Sequence, residues 1–374
     1  MAGKKHSASA VAVSNFYFPE LDGLRFFAFL LVFVHHHPYF NTIHELKFLH
    51  DYGWIGVDLF FVLSAFLLTR LLLLEYKSFQ TISFRKFYLR RICRIWPLYF
   101  FIIGLTVFLY LFEHGSLPGE YQWRVVGLLG FTDNFFTAFQ GYNPIPYTAH
   151  LWTITYEEQF YLFIPLLMLI LLKQSVRIRT VFFVMIFLTF TMVRLWMINE
   201  SFAHPAIWVL PFSHFESMAF GIVLGFGGFE FITRKLSPFV YFFLSIAAFS
   251  LLCSLPNLDK IGTDLMYSYL LIGFSTAFLF LAVYHSRIIK KVLSVGILVF
   301  LGKRSYGLYV YHILANEFAG QIILRQETFP KTLASTFYLS LVLTIIFAII
   351  SYMMIERPFL KLKHKFELIA TRPV

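Results

Sequence analysis

Apolar runs fill the chain from residue 16 to residue 355, and short polar or basic segments separate them. A helix that crosses a bilayer needs about 20 mostly apolar residues, and about ten runs approach that length. They lie near 17–37, 55–74, 96–113, 150–172, 180–198, 206–227, 238–255, 265–284, 304–324 and 332–355. No long polar stretch interrupts them. The pattern predicts an all-α membrane protein, one bundle of about ten transmembrane helices. The bundle would occupy 16–356, between an N-terminal tail (1–15) and a basic C-terminal tail (357–374). Residues 123–139, WRVVGLLGFTDNFFTAF, are apolar but too broken for a span. They read as a re-entrant or interfacial segment, which a bilayer tolerates only where protein buries it.

Composition agrees. The chain of 374 residues is 59% hydrophobic and 14% charged, and its mean hydropathy is +0.71. A soluble domain cannot hide that much apolar surface. The net charge of +11 raises nucleic acid as a partner. The basic residues instead sit in short loops on alternate sides of the runs, as the positive-inside rule requires. With the N-terminus inside, the inner segments hold Lys4 and Lys5, then the cluster from Arg70 to Arg94. Lys173 to Arg179, Arg234, Lys235, Arg287 to Arg304 and Arg357 to Arg372 follow. The outer segments hold only Lys47, Arg124, Lys260, Arg325 and Lys331. Both termini are therefore expected in the cytoplasm. Cys93 and Cys253 fall on opposite sides, so no disulfide is expected. No small-residue cleavage site follows the first run, which reads as a retained helix.

Charge inside a bilayer costs roughly 2.5–3.5 kcal/mol per residue on insertion scales, so charged residues within spans are functional candidates. The first run carries Arg25 and ends in His35, His36 and His37. At 100° per residue, an offset of eleven returns a side chain to within about 20° of its first direction, about 16 Å further along the axis. His36 thus shares the face of Arg25, while His35 and His37 point about 80° and 120° away. Consecutive histidines on one helix cannot converge on one metal, so no metal site is expected. His35 and His37 read as solvated groups at the outer interface. Asp58 lies about one turn into the second run and would orient His36. The blander readings are a polar helix end for His36 and a first-turn acid facing the helix dipole for Asp58.

In FRKFYLRRICRIWPLYF (84–100), Arg91 and Arg94 lie three apart on one helical face. Paired arginines suit bidentate phosphate binding; lipid headgroups are the alternative partner. Glu157 and Glu158 sit about two turns into the fourth run and should face the interior near His36. The sixth run adds His214 and Glu216, and Arg194 is a partner for an acid there. Ser305, Tyr309 and His312 share a face at i, i+4, i+7 spacing; packed polar tips in an aromatic belt are the alternative. Glu356 and Arg357 read as a helix terminus at the inner surface.

Six segments, in order, resemble the acyltransferase-3 family of integral membrane acyltransferases over nearly the whole chain. LDGLRFFAFLLVFVHH carries an Arg-x10-His pair, Arg25 and His36. GVDLFFVLSAFLL follows, with Ala65 where the family usually has Gly. YLRRICRIWPLYF supplies Arg91 and Arg94, and LWTITYEEQFYL supplies Glu157. FESMAFGIVLG and GKRSYGLYVYHI match weaker patterns. The resemblance implies transfer of an acyl group, often acetyl, from cytoplasmic acyl-CoA (a donor substrate, with no permanently bound cofactor). The acceptor would be a hydroxyl on a glycan, a lipid-linked saccharide or a small molecule. Full-length members often carry a further extracytoplasmic esterase-like domain; with the tenth run close to residue 374, a stand-alone membrane module is expected here, and the resemblance implies a bacterial inner membrane.

Within that scheme His36 is the general base, with Asp58 or Glu157 orienting its other nitrogen. An acyl-histidine relay is the covalent variant. Arg91 and Arg94 hold CoA phosphates, and Arg25 positions the pantetheine arm or thioester. The rival class is a transporter that uses the buried Arg, His and acids as a proton or substrate path. Against it, no inverted repeat is visible.

Overall fold

The computed structural model describes residues 16–228, 236–325 and 332–369. It is all-helical, with no strand among the described residues. Helices of seven residues or more are numbered in chain order. They are α1 (Pro19–His35), α2 (Ile55–Phe79), α3 (Phe84–His114), α4 (Gly119–Leu129), α5 (Asp133–Gln140), α6 (Trp152–Leu172), α7 (Val176–Asn199) and α8 (Glu216–Gly225). They continue with α9 (Pro238–Cys253), α10 (Leu265–His285), α11 (Arg287–Leu293), α12 (Gly296–Lys303), α13 (Ser305–Arg325), α14 (Leu333–Ser351) and α15 (Arg357–Lys363).

Among the described residues, six helices are long and apolar enough to cross a membrane: α2, α3, α6, α7, α10, and α14 with its continuation to Phe366. The chain is an integral membrane protein. Each of the ten expected runs falls on helix, but not all on a full-length span. α1 has 17 residues and α9 has 16. The run 206–227 is broken: Ala206–Val209 is one short turn, and α8 begins only at Glu216. Pro211 lacks an amide hydrogen and interrupts the ladder. The break frees carbonyls that side chains then use. Trp208 O accepts from His214 Nδ1 at 2.9 Å, and Ile207 O accepts from Ser213 Oγ at 2.9 Å.

The re-entrant reading of 123–139 has a structural counterpart. α4 and α5 form a helical hairpin whose tip, Phe131, stacks on Tyr99 at 4.8 Å in the middle of α3. Backbone turning inside a bilayer needs protein partners. Gln159 supplies them, donating to Phe131 O at 2.9 Å and to Asn134 Oδ1 at 2.8 Å. Arg124 braces the hairpin by a 2.9 Å ion pair to buried Asp133.

Close helix approaches set α1 in place. A Cβ on Gly302 of α12 would lie 1.8 Å from the Asp22 carbonyl oxygen, and one on Gly56 of α2 would lie 2.3 Å from that of Ala28. α1 is therefore clamped between α2 and α12 at backbone contact distance. Ala65 of α2 faces Gly221 of α8, whose added Cβ would lie 2.7 Å from that of Ala65. The glycine on α8 gives the close contact room.

The C-terminal segment differs from the expected tail. α14 runs through a π-helical turn, Tyr352–Glu356, into α15, which packs back against α3. Arg90 fixes it there, donating to Phe366 O at 3.1 Å while pairing with buried Glu75 at 3.1 Å. Ile369 is 2% exposed. The tails 1–15 and 370–374 lie outside the described residues.

Candidate active site

One cavity, of about 170 Å³, gathers many of the expected site residues. α1 gives Arg25 and Asp22, α3 gives Arg91 and Arg94, α6 gives Glu157, and α13 gives Ser305 and Tyr309. Arg91 and Arg94 both reach it because a spacing of three keeps them on one face of α3. Arg90, one residue earlier, turns to Glu75 instead. α15 adds Lys363, which is 5% exposed and lies 3.0 Å from Glu367. The lining side chains thus carry four cations, Arg25, Arg91, Arg94 and Lys363, against two carboxylates, Asp22 and Glu157. Even with Glu367 behind Lys363, positive charge is in surplus.

Glu157 is held by Ser64 Oγ at 3.0 Å and Tyr161 OH at 2.8 Å. It sits with the cations of the cavity, not beside His36, so the expectation that Glu157 orients His36 is corrected. Glu158 also departs from its expected place. It points 100° round the helix from its neighbour, accepts from Trp96 Nε1 at 3.2 Å, and lines a separate apolar crevice between α3, α6 and α8. Arg91 and Tyr161 line both spaces and form the wall between them.

Asp58 does not orient His36 either. Its Oδ1 lies 2.8 Å from His214 Nε2 and 2.5 Å from Ser217 Oγ, on the α8 side of α2. Gly56 and Val57 occupy the faces toward α1 and the cavity, which leaves Asp58 turned toward α8. Both nitrogens of His214 face acceptors, Trp208 O and Asp58, which suits an imidazolium paired with a carboxylate. This buried pair locks the broken segment to α2. Arg194 pairs with Glu216 nearby, as the sequence suggested.

His36 stands at the end of α1 remote from Arg91 and Arg94, and is exposed. Its Nδ1 lies 2.9 Å from Val32 O and 3.3 Å from His312 Nε2. A third histidine, His150, lies behind His312 with ring centroids 4.8 Å apart. Its Nε2 lies 3.2 Å from Val310 O. One turn below His312, Tyr309 OH joins Thr153 Oγ1 at 2.7 Å at the cavity wall. A path of polar side chains therefore leads from the cavity to His36.

The flanking histidines have local tasks. His35 Nδ1 lies 2.7 Å from His50 O. His37 is 2% exposed and accepts from Tyr39 N at 3.2 Å, so it caps a turn and is not solvated.

Comparison with known proteins decides the family. An acyltransferase-domain model matches residues 18–353. The chain is a member of the acyltransferase-3 family. Two relatives from Staphylococcus aureus, strains COL and MSSA476, are provisionally named O-acetyltransferases. Each is 30% identical over 365 residues, covering 92% of this chain and 58% of its own length. O-acetyltransferase OatA of S. aureus (strain NCTC 8325 / PS 47) is 29% identical over 360 residues, covering 92% of this chain and 57% of its own. The chain thus spans under two thirds of the length of these relatives. No solved structure matches it.

Within the acyltransferase-3 frame, Tyr161, Ser64, His150 and Lys363 are among the residues of this site that escaped the sequence reading. Tyr161 carried a usable signal, because it lies at i+4 from Glu157. Ser64 was masked by its apolar run. His150 sits before the first turn of α6, where it reads as loop, and Lys363 lies in the expected tail.

Proposed function

We propose that the protein is a membrane O-acyltransferase. It takes an acyl group, acetyl in the simplest case, from acyl-CoA and gives it to a hydroxyl of a glycan, lipid-linked saccharide or small molecule. The observation that carries the reading is the surplus of cations around one buried cavity. Cations gathered in a low-dielectric site call for an anion, and a nucleotide polyphosphate supplies several charges at once. Arg91, Arg94 and Lys363 hold those phosphates. Arg25, further along α1, meets the pantetheine arm. The thioester then lies toward Tyr309 and the histidines.

His36 acts as general base. Its Nε2 removes the acceptor's hydroxyl proton as that oxygen bonds to the thioester carbonyl carbon. The C–S bond breaks, and the proton passes to the departing thiolate. The arrangement supports a donor entering from the basic end and an acceptor from the opposite one. In this reading the bundle crosses about ten times, counting α1, α8, α9 and α13 with the six long helices. Both termini are cytoplasmic, and the membrane is the cytoplasmic membrane of a bacterium, a reading supported by the bacterial source of the named relatives.

The test is thiol release from acetyl-CoA by purified protein with a cell-envelope glycan extract as acceptor. Wild type should release thiol and His36→Ala should not. Release by both would remove His36 as the base. Neither release nor acetyl-CoA binding by the wild type would favour a transporter.

A further inference from the structure

His36 and His312 are arranged so that hydrogen placement follows from their neighbours. A backbone carbonyl can only accept. His36 Nδ1 lies 2.9 Å from Val32 O, so it carries a hydrogen. His312 Nδ1 lies 2.5 Å from Tyr309 O, so it carries one too. In a neutral ring the second nitrogen is then bare. His312 Nε2, bare and 3.3 Å from His36 Nδ1, is an acceptor for that same hydrogen. His36 Nε2 is bare on an exposed residue. The two rings meet edge to face, with centroids 4.9 Å apart at 60°. Val32 O can share a hydrogen bond with His36 but cannot take its proton. His312 can.

We propose that His312 is the proton acceptor behind His36, so that the base is a unit of two histidines. The inference rests on the reading of His36 as base and extends it. As the acceptor hydroxyl loses its proton to His36 Nε2, the hydrogen on His36 Nδ1 shifts to His312 Nε2. The positive charge is then shared between the exposed His36 ring and His312, whose own Nδ1 hydrogen points to the Tyr309 carbonyl. When the thiolate leaves, both shifts reverse and the sulfur gains the proton. No net proton is gained or lost by the pair. His312 touches no reacting atom, so it is a positioning and proton-sharing residue.

Two measurements test this. In ¹⁵N-histidine NMR of the purified protein at pH 8, His36 and His312 should both show the Nδ1–H tautomer, the less common one. Single His→Gln variants assign the signals. An Nε2–H tautomer on His312 would overturn the proposal, whether or not an acceptor substrate has been found. The second measurement is turnover of His312→Gln. The Gln amide replaces the Nε2 position, so it can accept the His36 hydrogen bond but cannot take the proton. Turnover should fall on the order of 100-fold, the lower end of a general-base contribution because His36 itself remains, with the KM for acetyl-CoA unchanged. A merely structural role predicts no loss, and wild-type turnover would overturn the proposal. If His36→Ala itself keeps full transfer, the underlying reading fails instead, and the tautomer result separates the two.

Discussion

Replacing Lys363 with Met isolates the contribution of the C-terminal segment to donor binding. The ammonium is the one cation of the cavity that comes from α15, and its side chain is 6% exposed. A hydrogen bond to a charged group is worth about 1.5–3 kcal/mol, and about 1.4 kcal/mol is tenfold in affinity. Loss of one phosphate contact therefore predicts an affinity drop of about 10–100-fold. Lys363 already shares its charge with Glu367 at 3.0 Å, which places the expectation near the lower end. Methionine keeps an unbranched stem in the same space. Glu367 keeps His364 at 2.9 Å, so its charge is not stranded. Binding of a non-hydrolysable acetyl-CoA analogue to purified protein, measured by calorimetry, reads the effect directly. Turnover at saturating donor should stay within about threefold, since Lys363 lies at the phosphate end and the base acts at the other. Wild-type affinity in a folded Lys363→Met protein would refute the assignment of this cation to the donor.

Asp58→Asn should destabilise the fold by about 3–5 kcal/mol, the cost of leaving a buried charge unpaired. Thermal unfolding in detergent checks it, and any lost activity should track lost stability, unlike that of His36→Ala. Gln159→Leu removes the amide's three hydrogen bonds to the hairpin, one with Phe131 O and two with Asn134, about 1 kcal/mol each. It should loosen Phe131 from Tyr99 and raise protease cleavage between α4 and α5 without changing donor affinity.

Much of this architecture was legible because a bilayer imposes simple rules. Runs of apolar residues mark helices, and each of the ten fell on helix. Where they misled, a local polar demand had cut the helix. The run at 206–227 breaks so that His214 and Ser213 can reach carbonyls that a continuous helix would use itself. Helical phase put Arg91 and Arg94 on one side of α3 and Ser305, Tyr309 and His312 on one side of α13. Phase within one helix cannot say which neighbour a side chain meets. That is why Asp58 and Glu157 were both assigned to His36, when the pairing of α2 with α8 gives Asp58 to His214, and Ser64 and Tyr161 take Glu157. His312, given the right face, had no readable partner until α1 and α13 were side by side. The return of α15 across α3 was hidden for a similar reason: its charges resemble those of any cytoplasmic tail, and its fold-back shows only in three-dimensional contacts such as Arg90 with Phe366.

The central claim is that the cation-lined cavity holds the acyl donor with its thioester directed at the histidines. The most direct measurement is an electron cryo-microscopy map of the purified protein with a non-hydrolysable acetyl-CoA analogue. The account predicts phosphate density against Arg91, Arg94 and Lys363, and the acetyl end beyond Arg25 toward Tyr309 and His312. An analogue bound elsewhere, or lying in the cavity with its phosphates at the histidine end, would contradict it.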